Sequence, residues 1–227
     1  MKITKDYQGL TRAENGDYIL NGDLISEEDI EIDLDGFLVL RGSIQSRYNI
    51  KSKNGIRAGF GIVAGGGITS GEEIVAGSCI TAGGGITAGG FIESGLGITA
   101  GGCIKSGESI TAGLCIKSGK FITAVFGIKA GKRIDAGWGV DAGWGITSGC
   151  GIVAGHGITA GDGITSGDGI TAGDGIEAGT YIDCGKRIFA GTSVYADDDN
   201  CKKTIKCAEL RNGTVAYGDL ICTPAVY

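Results

Sequence analysis

The sequence predicts an all-β chain: a single-stranded parallel β-helix, or β-solenoid, with triangular coils of about 18 residues and a cap at each end. Three observations predict it. From Ile32 to Val194 an aliphatic residue falls at every sixth position for 28 hexads without insertion or deletion. Two places after it stands Ala, Ser or Cys in all 24 hexads from Ala58 to Ala196. The next place is Gly in 22 of the 23 hexads from Gly59 to Gly191, Val125 being the exception.

Each hexad element follows from strand geometry. Side chains alternate faces in a strand, so positions one and three point inward and position two points to water. A site that never holds more than Ala, Ser or Cys sits where the coil narrows, beside a corner. The Gly that follows marks backbone that either takes positive φ or passes very close to another segment. Three such sides close one coil, and coils stack one strand spacing apart, so each Ile lies over the one three hexads on, as in the column Ile86, Ile104 and Ile122. Burying each of them is worth ~1.5–3 kcal/mol.

The repeat divides the chain into an N-terminal cap at 1–30, the β-helix at 31–196 and a C-terminal cap at 197–227. The first cap leads into the coils with the acidic run Asp23, Glu27, Glu28, Asp29, Glu31, Asp33 and Asp35, read as a solubilising cover over an otherwise open strand edge. In the second, Asp197–Asn200 break the repeat, and Arg211-Asn212-Gly213 between TIKCAEL and TVAYGDLIC reads as a hairpin turn.

Composition narrows the function classes. Gly at 46 residues with a single Pro lacks collagen's every-third-residue period. An apolar fraction of 42% in strict period is more than a disordered tract holds. The start MKITKDYQGLTRAENGDY has no charged-then-apolar leader and no stretch approaches a membrane span, so a cytoplasmic location is expected. A net charge of −6 argues against nucleic acid as a direct ligand.

The pattern resembles hexapeptide-repeat β-helices, and within them bactofilin-like, polymer-forming proteins more than acyltransferases. In the acyltransferase repeat the small inward residue precedes the aliphatic one by two places. Here it follows by two, as in Ile-Thr-Ala, and LNGDLI at 20–25 and LRGSIQSRYNIKSKNGI at 40–56 look like the bactofilin pattern. This chain is more uniform and richer in Gly than that family. The resemblance implies self-assembly, with homo-oligomer contacts through the C-terminal cap.

Most residues with chemistry read as structural. No two of Cys79, Cys103, Cys115, Cys150 and Cys184 differ by 18, so no thiol column forms, while Cys201, Cys207 and Cys222 share the C-terminal cap. A single histidine, His156, excludes a three-histidine carbonic anhydrase site and leaves zinc and general-base catalysis poorly supported. An acyltransferase would also need a loop projecting from the coils, and the repeat is uninterrupted. Asp162, Asp168 and Asp174 fall on three different corners, too far apart to share a cation. Threonine columns, as on an ice-binding face, are broken by Lys105 and Lys117. No catalytic residue, cofactor or metal site is expected.

One anomaly survives. Position five points to water at a corner, yet Phe126, Trp138 and Trp144 occupy it. Sorted by 18, Phe126 stacks over Trp144, and Lys120, Trp138 and His156 form the adjacent column. Phe121 lies near, and Lys129, Lys132 and Arg133 add charge. Exposed Trp with flanking cations is the residue mix of a protein-binding hot spot. The expected role is a non-catalytic solenoid that binds a protein partner through Phe121, Phe126, Lys129, Lys132, Arg133, Trp138, Trp144 and His156, such as a phage or mobile-element inhibitor of a host defence complex. Self-assembly, as in bactofilins, and an acyltransferase-type enzyme are the alternatives.

Overall fold

The computed structural model describes residues 1–192 and 203–223, and every regular element among them is a β-strand. The chain is a parallel β-solenoid with three short strands per 18-residue turn, divided into two units, Met1–Gly113 and Leu114–Tyr227. The last hexad at Val194, the Asp197–Asn200 break, Cys201 and residues 224–227 lie outside the described residues.

In the first unit the strands Ile62–Ala64, Ile68–Ser70 and Ile74–Ala76 each start on the aliphatic residue of a hexad. Each pairs in parallel with the third strand after it: Ile62 faces Ile80, Ile68 faces Ile86 and Ile74 faces Ile92. Positions one and three are buried while position two is exposed, as at Ile62, Val63 and Ala64. The second unit repeats the register, with Ile128 facing Ile146, Ile134 facing Ile152 and Val140 facing Ile158.

The corners explain the two small positions. Gly65 donates its N–H to the Ser46 carbonyl one turn below at 3.0 Å, which carries the backbone ladder around the bend. A Cβ on Gly65 would collide with the Arg47 carbonyl oxygen, and one on Gly161 with that of Gly143. Neither glycine has positive φ; among the corner glycines Gly191 does, at +77°. Close approach of stacked turns therefore excludes a side chain there, not backbone handedness. Position-three serines use the same proximity: Ser106 Oγ donates to the carbonyls of Gly90 at 2.7 Å and Ser109 at 3.1 Å. Ser166 does so to Cys150 and Gly169 at 2.6 and 3.0 Å.

The N-terminal turn departs from the expected phase. Tyr18 faces Leu38, Leu24 faces Ile44 and Ile30 faces Ile50, an offset of 20 in place of 18, so Ile30 occupies position one. Ile32, read from sequence as a position-one residue, instead faces Ser52 at position three. The extra length lies between Ile30 and Leu38, where Leu34 is also buried. Stacked strands therefore begin at Tyr18, inside the segment read as a cap. Leu10–Arg12 pairs antiparallel with Tyr18–Leu20, and Lys2–Ile3 lies parallel on Glu31–Ile32.

The acidic residues do more than solvate this end. Asp17, Asp23 and Asp29, spaced by six, accept the backbone N–H groups of Phe37, Ser43 and Asn49 at 3.4, 2.7 and 2.8 Å. Asn49 repeats the device one turn on, its Oδ1 accepting the Gly67 N–H at 2.8 Å. Lys2 pairs with Glu31 and Asp33, and Arg12 with Asp35.

The C-terminal segment also differs from expectation. Arg211-Asn212-Gly213, read as a hairpin turn, lies within one strand, Glu209–Tyr217, that pairs parallel with Tyr181–Phe189. Arg211 is the extra residue where the register shifts between Leu210 and Asn212. Its guanidinium sits 3.7 Å from the Tyr181 ring centroid, and Asn212 donates to Asp183 at 3.0 Å. These cross-turn contacts keep the segment in the parallel ladder, and its turn propensity survives only as a local irregularity at Gly213, whose φ is +104°. Thr204–Cys207 stacks on Ile176–Ala178, and Asp219–Cys222 stacks on Thr204–Cys207. Residues 203–223 therefore continue the solenoid, and Ile205 faces Leu220, an offset of only 15.

Two outcomes test this account. Gly161→Ala forces the Gly143 carbonyl to move and should lower unfolding free energy by about 1–3 kcal/mol. Gly151→Ala, whose Cβ would meet nothing closer than 3.5 Å, should change it by less than about 0.5 kcal/mol in the same denaturant titration. The second concerns pH. Hydrogen bonds from the Asn49 backbone and side-chain N–H groups hold the Asp29 carboxyl below its ordinary 3.8, and the Tyr18 hydroxyl, then Arg12, lower that of Asp35. A depressed folded-state pKa gives stability that is complete above the ordinary value and lost as pH falls through the lower folded one. Exchange protection of the Asn49 amide should accordingly fall as pH drops below about 4, and Asp29→Ala should remove that protection at every pH.

Candidate functional site

All eight residues of the expected binding band lie in the second unit, at or beside three corner columns. Each column is tied by backbone hydrogen bonds between position-five residues 18 apart. In the first, Trp138 N–H donates to the Lys120 carbonyl at 3.1 Å and His156 N–H to the Trp138 carbonyl at 2.8 Å. In the second, Trp144 N–H donates to the Phe126 carbonyl at 3.1 Å. In the third, Cys150 N–H donates to the Lys132 carbonyl at 2.7 Å. Stacking at this spacing forces side chains in one column into contact while all project outward.

On the first corner Phe121 meets Trp138 edge to face, with centroids 5.2 Å apart, and His156 meets the same indole edge-on at 6.3 Å. Lys120 Nζ lies 5.6 Å from the Trp138 ring centroid, a cation–π distance. The Phe121 ring rests over Gly139, where a Cβ would lie 3.1 Å from it. His156 Nδ1 is 3.0 Å from Asp174 Oδ2, the next residue down the column. On the second corner the Phe126 and Trp144 centroids are 4.7 Å apart with planes inclined at 40°. Val125, which breaks the glycine column, is exposed beside them.

These rings remain wet despite their contacts. Trp138 is 45% and Trp144 59% exposed, with Phe121 at 40% and Phe126 at 37%. Between the two corners runs one flat side of the solenoid, the strands Ile122–Ala124, Val140–Ala142 and Ile158–Ala160, stacked in register. Its outward residues are Thr123, Asp141 and Thr159. The aromatic corners thus border a narrow polar strip on both edges, a surface with apolar contact area and hydrogen-bonding groups side by side.

The expected basic residues divide. Lys129 projects from Ile128–Ala130, immediately after the Phe126 corner, and faces Thr147 on the next turn. Lys132 and Arg133 lie at the third corner, away from the aromatic strip, and Arg133 pairs with Asp135 at 3.7 Å. The cation that does accompany a tryptophan is Lys120, and the acid that accompanies His156 is Asp174; neither was among the expected band residues. Both follow from the 18-residue column, because Lys120 precedes Trp138 by 18 and Asp174 follows His156 by 18.

Among the described residues no group of three or more His, Cys, Asp or Glu is placed to hold a metal ion. Asp162, Asp168 and Asp174 occupy the three separate corner columns, and Asp168 is paired with Lys186 at 2.7 Å. Compared with protein-family models, with curated proteins and with solved structures, the chain finds no match.

Proposed function

We propose that this chain is a non-catalytic β-solenoid that binds a protein partner through the two aromatic corners of its second unit. The observation that carries this reading is the pair of exposed ring columns, Phe121–Trp138–His156 and Phe126–Trp144, on either side of the Thr123–Asp141–Thr159 strip. The solenoid is closed by its inward aliphatic and small residues, so corner tryptophans add nothing to that core. Clustered rings with adjacent cations supply the large, rigid contact area that dominates protein interfaces. Lys120 and Lys129 favour an acidic rim on the partner. A small acidic binder of this kind suits an inhibitor carried by a phage or mobile element that covers a working surface of a host defence complex. Its proposed setting is the cytoplasm; the seven described cysteines are reduced in the structure.

Trp138→Ser with Trp144→Ser tests the reading in the full chain. Both side chains lie outside the Ile core, so the solenoid should stay folded, with thermal unfolding lowered only by the lost ring contacts. Partner capture from the native host, read by mass spectrometry, should weaken by about 100-fold or more, as for loss of two hot-spot residues. Unchanged capture by a folded double variant overturns it.

A bactofilin-like, self-assembling role is the second reading, favoured by one observation. Asp219–Cys222 stacks on Thr204–Cys207 and exposes all four of its residues, Leu220 and Ile221 included. Light scattering across a concentration series should then show growth of the full chain and its loss on deleting 203–227. A monomer at every concentration rules that role out.

A further inference from the structure

The final described turn brings together two thiols that an 18-residue grid keeps apart. Cys207 and Cys222 differ by 15, and the 15-residue turn sets them directly opposite each other on the parallel strands Thr204–Cys207 and Asp219–Cys222. Their sulfurs are 3.9 Å apart. Neighbouring strands lie about 4.8 Å apart, within the Cα separations of roughly 4.4–6.8 Å that a disulfide spans. Closing the remaining gap requires side-chain rotation, with the strands left in place. The other described cysteines, Cys79, Cys103, Cys115, Cys150 and Cys184, share no such register.

We propose that Cys207 and Cys222 form a redox-active dithiol, oxidised by a small-molecule disulfide of the glutathione class to an intrachain disulfide that staples Asp219–Cys222 to Thr204–Cys207. Differential access orders the reaction. Cys222 is exposed and Cys207 is buried, so the Cys222 thiolate attacks one sulfur of the oxidant and expels its partner as a thiolate, which takes up a proton. The Cys207 thiol then loses its proton to solvent and attacks the Cys222 sulfur, breaking the mixed disulfide and releasing the second small thiol. Two thiols give up two electrons and two protons, and one small disulfide becomes two small thiols. Burial, then the neighbouring Cys222 thiol, pushes the Cys207 thiol up to about 11, so the second step should quicken as pH rises toward that value.

The consequence falls on the strand that closes the described solenoid. Asp219–Cys222 is wholly exposed and four residues long, and its described strand pairing is with Thr204–Cys207. A covalent tie at its last residue suppresses fraying of that edge, so oxidation state sets whether the end of the stack is fixed or opens locally.

The test uses the reduced full chain, oxidised glutathione as the probe, alkylation of remaining thiols and mass spectrometry of intact protein and peptides. The expected product has lost the mass of two hydrogen atoms, contains a Cys207–Cys222 linked peptide and has released two glutathione molecules per oxidant consumed. Cys207→Ser, which keeps a small polar side chain at that site, should stop at a glutathione adduct on Cys222. Exchange of the Asp219–Cys222 amides should slow by about tenfold or more on oxidation. Stable glutathione on Cys222 in the unaltered chain, a linkage to Cys201 instead, or two thiols that stay fully alkylatable overturns the proposal.

Discussion

The structure depends on one constraint: a residue must fit directly against its counterpart in the neighbouring turn, at strand spacing, around the corners as well as along the sides. The sides meet it with parallel ladders such as Ile68 on Ile86. The corners meet it with hydrogen bonds such as that from Gly83 N–H to the Ala64 carbonyl at 3.0 Å. Close approach leaves no room for a Cβ at Gly65 or Gly161, limits position three to Ala, Ser or Cys, and gives the serine hydroxyls two carbonyls within reach. Uniformity along the chain is the result, because each turn is the mould for the next.

The same constraint organises the surface. Position-five residues have no core to satisfy, so selection there is free, but their spacing forces those in one column into contact. Trp138 is edged by Phe121 and His156 and approached by Lys120 for this reason, and Phe126 meets Trp144. Each ring is thereby held by its neighbours, which lowers the entropy lost when a partner docks against it. A band assembled from two columns is also rigid in its spacing, since the strip between them is three stacked strands.

The first and last described turns depart from the 18-residue register. At the N-terminal end, carboxylates take over part of the bonding: Asp17, Asp23 and Asp29 receive the N–H groups of the turn above. The longer turn there accommodates them and gives space to Leu34. At the other end, stacking continues through a shorter turn, and that circuit sets Cys207 opposite Cys222.

How much of this was legible in the chain depended on whether the 18-residue grid held. The all-β solenoid, the inward and outward positions, and the Phe126–Trp144 and Trp138–His156 neighbours all followed from counting by six and eighteen, because each residue's environment repeats. Lys120 and Asp174 were readable from the same columns, though composition drew attention instead to Lys132 and Arg133, which sit at another corner. Where the turn length changes, counting fails. The phase of Ile30 against Ile32, the pairing of Arg211–Gly213 within a strand and the meeting of Cys207 with Cys222 were decided by which strands pair across the irregular turns at the two ends. By itself the sequence determined the repeating unit, since close packing at strand spacing permits few residue types at each position. Only the tertiary structure decided the register at the ends, where cross-turn hydrogen bonds and ring contacts outweigh local turn and periodicity signals.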